Sequence, residues 1–306
     1  MVTFYGKGVK IMSEWTGWGL LLWFIFFPEA VKNGVANGLE LGGRVLVPSI
    51  FPYLVLSGIL IKTDALRKIS KIIRISFLSE TAKELLIPSL LCGYPTGARL
   101  SALAYDHGSI TKKEFTLLFM FANVPGFGFA VSYLGGILNS SLSGWLIYLS
   151  FLLASLTLLW FFAQKAPNDF TVSTNEIKRK EPTKQKISEA LVESVSESAQ
   201  TMVTLLFFVC FFSSLIELLK NLPFPQTFYP IGAAFIEITT GICFLANRYP
   251  TETVVFFCGF SGLSVLFQSL YFDKKHAVNF LRLMLGRLIY GIVSVCYFMM
   301  LRLLIQ

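Results

Sequence analysis

Two short polar clusters inside apolar sequence hold the residues best suited to chemistry. The first is P-S-L-L-C-G-Y-P-T-G-A-R at residues 88–99, which contains Gly93, Tyr94, Pro95, Thr96, Gly97 and Arg99. The second is F-I-E-I-T-T-G at residues 235–241, with Glu237, Thr239, Thr240 and Gly241. Proline removes an amide donor and crowds the preceding turn, and glycine loosens the helix beside it. In hydrocarbon, backbone groups freed by such a break need partners in protein or in a water-filled cavity. Both clusters therefore read as broken helices beside a polar pathway. The amides at Gly93–Gly97 and Thr239–Gly241 carry partial positive charge suited to a carboxylate. Arg99 is a candidate to neutralise an anion, or else to snorkel or pair with Glu84 or Asp106. Glu237 is a candidate proton-coupling carboxylate or salt-bridge partner.

Further hydrogen-bonding groups sit at other interruptions. P-S-I-F-P at residues 48–52 carries Ser49, and F-A-N-V-P-G-F-G-F at 121–129 carries Asn123. S-V-S-E-S-A-Q-T at 194–201 carries Ser198, Gln200 and Thr201. F-F-C-G-F-S-G-L-S-V-L-F-Q-S at 256–269 carries Ser261, Gly262, Ser264 and Gln268. Taken singly, each of these also suits simple interhelical packing.

Composition sets the frame for these clusters. The chain has 306 residues, 54% hydrophobic and 14% charged, with 30 Phe, and its mean hydropathy is +0.65. Charge is confined to blocks between long apolar runs, the pattern of an all-α polytopic membrane protein. The net charge of +8 reflects loop lysines and arginines beside anionic lipid rather than a nucleic-acid partner. The five cysteines all lie in apolar segments without C-x-x-C spacing, so they read as inert thiols. His107 and His276 are isolated, so no metal site and no cofactor is expected. No H-E-x-x-H, G-x-S-x-G or paired intramembrane Asp is present, so an enzyme is not expected.

Four regions follow from the patterning. Residues 1–35 hold a retained first helix with Trp15, Trp18 and Trp23 as interfacial anchors. Residues 36–163 form a first repeat ending in a lipid-facing helix, 164–188 a basic linker around Lys178, Arg179 and Lys180, and 189–306 a second repeat with a C-terminal helix. Arg282 and Arg287, near the start of that last helix, read as snorkelling cations. Amphipathic residues 62–83 read as a basic surface connector.

The halves share an order: an amphipathic hairpin with its tip near Pro48 (a single kinked span being the alternative there) or Ser198, a broken helix, then an interrupted helix. Pro125-Gly126 falls on Ser261-Gly262, and Ser132 on Gln268. The expected architecture is two inverted-topology repeats with re-entrant hairpins and broken transmembrane helices. Three spans then separate the connector from the linker and place them on opposite faces. Repeats with discontinuous helices are the mark of secondary transporters. A structural or assembly component of a membrane complex is the reading from a different class.

The combination of P-S-I-F-P, C-G-Y-P-T-G-A, E-I-T-T-G and G-F-S-G-L-S-V-L-F-Q, followed by an arginine-bearing last helix, resembles the sporulation integral membrane protein family called YlbJ or SpoVV. That family belongs to the broader nucleoside-recognition Gate domain proteins, and the resemblance covers residues 38–287. It implies a fold akin to concentrative nucleoside transporters. It also implies movement of dipicolinic acid across the outer forespore membrane of a Gram-positive spore-former, with nucleosides or other small solutes as the alternative. The implied partners are membrane lipid and a small anionic or nucleoside-like solute, and a homo-oligomer is compatible with both. The coupling ion, H+ or Na+, is left open.

Overall fold

The computed structural model describes residues 15–63, 65–71, 75–165, 185–223, 225–246, 248–275 and 278–305. The linker cluster Lys178, Arg179 and Lys180 lies outside the described residues, as does His276. Among the described residues the secondary structure is helical, with no strand. Five elements are long and apolar enough to cross a bilayer, compatible with a multi-pass integral membrane protein.

A short apolar helix, α1 (Trp15–Phe26), leads into α2 (Pro28–Leu41). Then come a π turn (Gly42–Leu46) and α3 (Val47–Lys62). Together α2, the π turn and α3 make one 35-residue helix, about 50 Å long. Of the two expectations for this segment, a re-entrant hairpin with its tip at Pro48 and a single kinked span, the structure excludes the hairpin and shows continuous helix. The physical reason is the π turn. Val47 N–H bonds Gly42 O, five residues back, and this widened turn takes up the crowding of the Pro48 ring just after it.

The equivalent element of the second half, α10 (Ile187–Leu219), is also unbroken over 33 residues. The hairpin expected near Ser198 is therefore likewise absent. Thr201 in that stretch closes its hydrogen bond on its own helix, Oγ1 donating to Glu197 O at 2.9 Å.

These two long helices pack antiparallel. The register runs from Gly34 against Ser214, through Gly38 against Cys210, to Gly58 against Ser194. Glycine is required in this seam because the backbones nearly touch: a Cβ on Gly38 would lie 2.6 Å from Cys210 Cα. At one end Lys62 Nζ meets Glu193 at 2.8 Å and Glu197 at 2.9 Å. Gln185 N also reaches Lys62 O at 3.4 Å. The start of the connector and the end of the linker thus lie together, not on opposite faces.

A short helix, α4 (Leu66–Ser70), precedes α5 (Glu80–Cys92), α6 (Thr96–Asp106) and α7 (Lys112–Phe121). The beginning of α5 sits at the beginning of α7, where Ser79 N donates to Glu114 at 2.6 Å. The end of α5 sits at the end of α7, where Tyr94 N donates to Val124 O at 2.7 Å. Helix α6 returns beside α7, from Gly97 against Asn123 back to the turn at Thr111. Helices α5 and α6 are therefore a helical hairpin with its tip at Gly93-Tyr94-Pro95. After the break at residues 122–127 come a second π segment (Gly128–Leu134), α8 (Gly135–Ile137) and the long α9 (Ser141–Lys165).

The second half repeats this order. Helices α11 (Tyr229–Ile236) and α12 (Ile238–Leu245) fold into a tight hairpin about Glu237, with Gly241 against Ala234. Helix α13 (Thr251–Phe260) breaks at Ser261 and continues as α14 (Gly262–Phe272), and α15 (Phe280–Ile305) closes the chain. Helices α9 and α15 lie side by side and advance in the same direction. Tyr290 Oη meets Phe151 O at 2.8 Å, and Thr157 meets Tyr297 at 2.6 Å.

The glycine seam is directly testable. Gly38→Val should destabilise the purified protein by about 1–3 kcal/mol, the cost of forcing extra volume into a packed contact. Thermal unfolding in detergent checks this, and an unchanged midpoint would mean the two long helices do not pack as described.

Candidate functional site

The candidate site is the junction where each hairpin tip meets the break of the helix that follows it. In the first half, Gly93 (φ +80°) lies on the backbone of Gly126, so closely that a Cβ would overlap it. Only glycine combines that positive φ with that approach. In the second half, Ser261 (φ +80°) and Gly262 (φ +69°) form the break. The space above Gly262 is bounded by Ala234 O and Ile238 N of the second hairpin. Two different sequences, one proline-rich and one serine-glycine, thus produce the same arrangement.

Arg287 ties the two breaks together. It is 1% exposed, two turns inside α15, on a buried stripe with Tyr290, Gly291, Ser294 and Phe298. Its Nη1 donates to Asn123 O at 2.8 Å and Met120 O at 3.2 Å, and its Nη2 donates to Ser261 Oγ. The guanidinium also stands 4.7 Å over the Tyr290 ring, a cation–π contact. The Met120 and Asn123 carbonyls are at the C-terminal, negative end of α7, which favours a cation there. The expectation that Arg287 snorkels to the interface is overturned. Its position on a stripe of small and polar residues, at helical spacing, was the available signal. Arg282 by contrast is exposed.

Asn123 is the second connector. Its Nδ2 donates to Ser269 Oγ at 2.8 Å and its Oδ1 accepts from Ala98 N at 3.4 Å, so it joins α14 to the start of α6. Glu237, also 1% exposed, folds back onto its own chain. Its carboxylate accepts from Thr239 N at 3.0 Å and Thr240 N at 2.7 Å, an N-terminal cap of α12. The amides expected to meet an external carboxylate at Thr239–Gly241 are therefore occupied by Glu237. Thr240 also shares a 3.0 Å hydroxyl contact with Ser213 of α10.

Two side chains of the first tip are left over. Tyr94 Oη and Thr96 Oγ1 are buried without a hydrogen-bond partner. The Tyr94 hydroxyl lies within electrostatic reach of Cys258, Arg287 and Glu237. Unpaired buried hydroxyls are uncommon, and each one calls for an explanation.

The junction thus brings together Gly93, Tyr94, Pro95, Thr96, Gly97, Asn123, Glu237, Thr239, Thr240, Ser261 and Gly262. Gly241 sits just behind, in the packing of the second hairpin. Ser264 and Gln268 are buried on α14 and bonded to each other at 2.9 Å. Arg99 is in an ion pair with Glu197 at 3.3 Å, not with Asp106, which pairs with Lys275 at 3.5 Å. Ser198 and Thr201 are buried along α10, and Gln200 faces outward. Ser49 lines a separate groove with Tyr133, whose hydroxyl meets Cys243 Sγ at 3.1 Å. Arg287, Ser269, Ser213 and Tyr133 were not singled out as site residues from the sequence.

Compared with protein-family models, curated proteins and solved structures, the chain matches none.

Arg287→Met should lower stability by at least about 2 kcal/mol, because it strands the acceptors of several charge-assisted bonds. In a double-mutant cycle with Ser261→Ala, the two losses should fall short of additivity by about 0.5–3 kcal/mol. Strict additivity would mean that Arg287 does not hold the second break.

Proposed function

We propose that this protein is a membrane transporter of a small organic anion, with dipicolinate as the first solute to test and nucleosides as the competing class. The observation that carries this reading is the buried polar junction itself. Arg287, Glu237, Asn123 and Ser261 are each at most 2% exposed, within a molecule whose long helices are apolar enough to span a bilayer. Such groups are costly inside a membrane, and they concentrate along solute and proton pathways. The unpartnered Tyr94 and Thr96 hydroxyls at the first tip supply polar groups that a solute can satisfy.

In this reading the two hairpins are re-entrant. Helices α11 and α12 have 8 residues each, about 12 Å, far short of a hydrocarbon core of about 30 Å. The halves are inverted, as the opposed directions of α2–α3 and α10 favour, and the hairpins reach the midplane from opposite faces. Helices α9 and α15 advance together, so a twofold axis in the membrane plane requires both to be strongly inclined along it.

Labelling with a membrane-impermeant maleimide tests the topology. In a background without native cysteines, Gly108→Cys before α7 and Arg248→Cys before α13 should react from opposite sides. Reaction from one side would make the halves parallel repeats and end the inverted reading.

Uptake of labelled dipicolinate and nucleosides into proteoliposomes tests the function. Glu237→Gln should cut uptake about tenfold or more, equivalent to about 1.4 kcal/mol at the barrier. Arg99→Ala, which breaks only a half-exposed ion pair, should stay within about twofold. Absence of flux for every solute in the wild type would sink the transporter reading.

A further inference from the structure

A groove of about 370 Å³ lies outside the junction, between the first long helix and the second π segment. Both π turns of the described chain form its walls. Arg44 and Val45 come from the first, and Gly128, Ser132 and Tyr133 from the second, with Pro48, Ser49 and Tyr53 completing it. π turns displace side chains from regular helical register and recur at functional sites. Gly128 forms the floor: a Cβ there would overlap Ser49 O and lie 2.7 Å from the Tyr53 ring. The volume falls within the range of small-molecule sites.

The chemistry of the lining is one-sided. It offers a guanidinium and several hydroxyls over an apolar floor, and no carboxylate lines it. Arg44 reaches the groove from an exposed position, with a side-chain exposure of 79%, and meets Glu40 at 2.7 Å one turn back. An exposed pair at that spacing shifts an equilibrium only about twofold. Glu40 therefore holds the guanidinium weakly, with the same chemical group that a ligand would bring. A planar guanidinium binds a carboxylate in two parallel hydrogen bonds, which exceeds what the loose intrahelical pair supplies.

We propose that this groove binds a small organic carboxylate with an apolar body, its carboxylate taken by Arg44 in exchange for Glu40. Ser132 and Tyr133 of the second π segment also line the groove. Tyr133 also touches Cys243 on α12, the helix that Glu237 caps, so an occupant would lie beside a residue in contact with the junction. The binding stands on the groove alone, and its part in transport rests on the reading above.

Calorimetry on the full chain in detergent, with benzoate and pyridine-2-carboxylate as probes, tests the proposal. Arg44→Gln should weaken binding about tenfold or more. Glu40→Gln should strengthen it about twofold, because the internal competitor is gone. Ser132→Leu should fill the groove and abolish binding with the unfolding midpoint unchanged. Binding indifferent to Arg44→Gln would overturn the proposal, as would Glu40→Gln weakening it like the arginine variant. Displacement of the probes by phosphatidylglycerol in nanodiscs would also overturn it, by reassigning the groove to a lipid headgroup. Proteoliposome uptake separates the two readings. Flux that ignores Arg44→Gln removes the groove from transport, whereas no wild-type flux alongside intact probe binding removes the transporter reading alone.

Discussion

A buried guanidinium holds the centre of this protein together. Arg287 reaches from the last helix to the carbonyls that end α7 and to the hydroxyl at the α13–α14 break. Those groups are free because the helices stop there, and a membrane interior offers them no water. The break makes the acceptors, and the arginine satisfies them. Through this contact a single side chain bonds both helix breaks.

Around that contact, the two halves solve one problem with different residues. The first tip uses Gly93 and a cis Tyr94-Pro95 bond, pinned by the Tyr94 amide on Val124. The second uses Glu237, whose carboxylate caps the helix that starts beside it. An external anion would find the second tip already occupied by the protein's own carboxylate, whereas Tyr94 and Thr96 at the first tip have unused hydroxyls. The chemistry of the junction is therefore asymmetric. Unused hydroxyls stand at one tip and a carboxyl cap at the other.

Prolines in this chain do not have one meaning. Pro48 and Pro52 lie within continuous helix because a π turn precedes them and α10 packs along the same element. Pro95 and Pro125 lie at true breaks, next to Gly93 and Gly126, which touch each other. The difference lies in what stands opposite. A proline backed by a long antiparallel helix is straightened by packing, and one facing another break is left open.

The sequence by itself determined the class. Apolar run length requires helices in a bilayer, since backbone groups there must bond within their own segment. The match of residues 119–133 with 255–269 placed both interrupted helices, and Glu237 and Asn123 stood out as polar groups in apolar surroundings. What only the tertiary structure decided was which interruptions turn the chain around. The segments at Pro48 and Ser198 run straight, and residues 80–106 fold back. Local propensity is similar in all of them, and the deciding energy comes from neighbours distant in sequence, such as Gly34 on Ser214 or Tyr94 on Val124. The same holds for Arg287. An arginine two turns inside a helix can reach outward or inward, and its direction is fixed by acceptors more than 160 residues earlier in the chain.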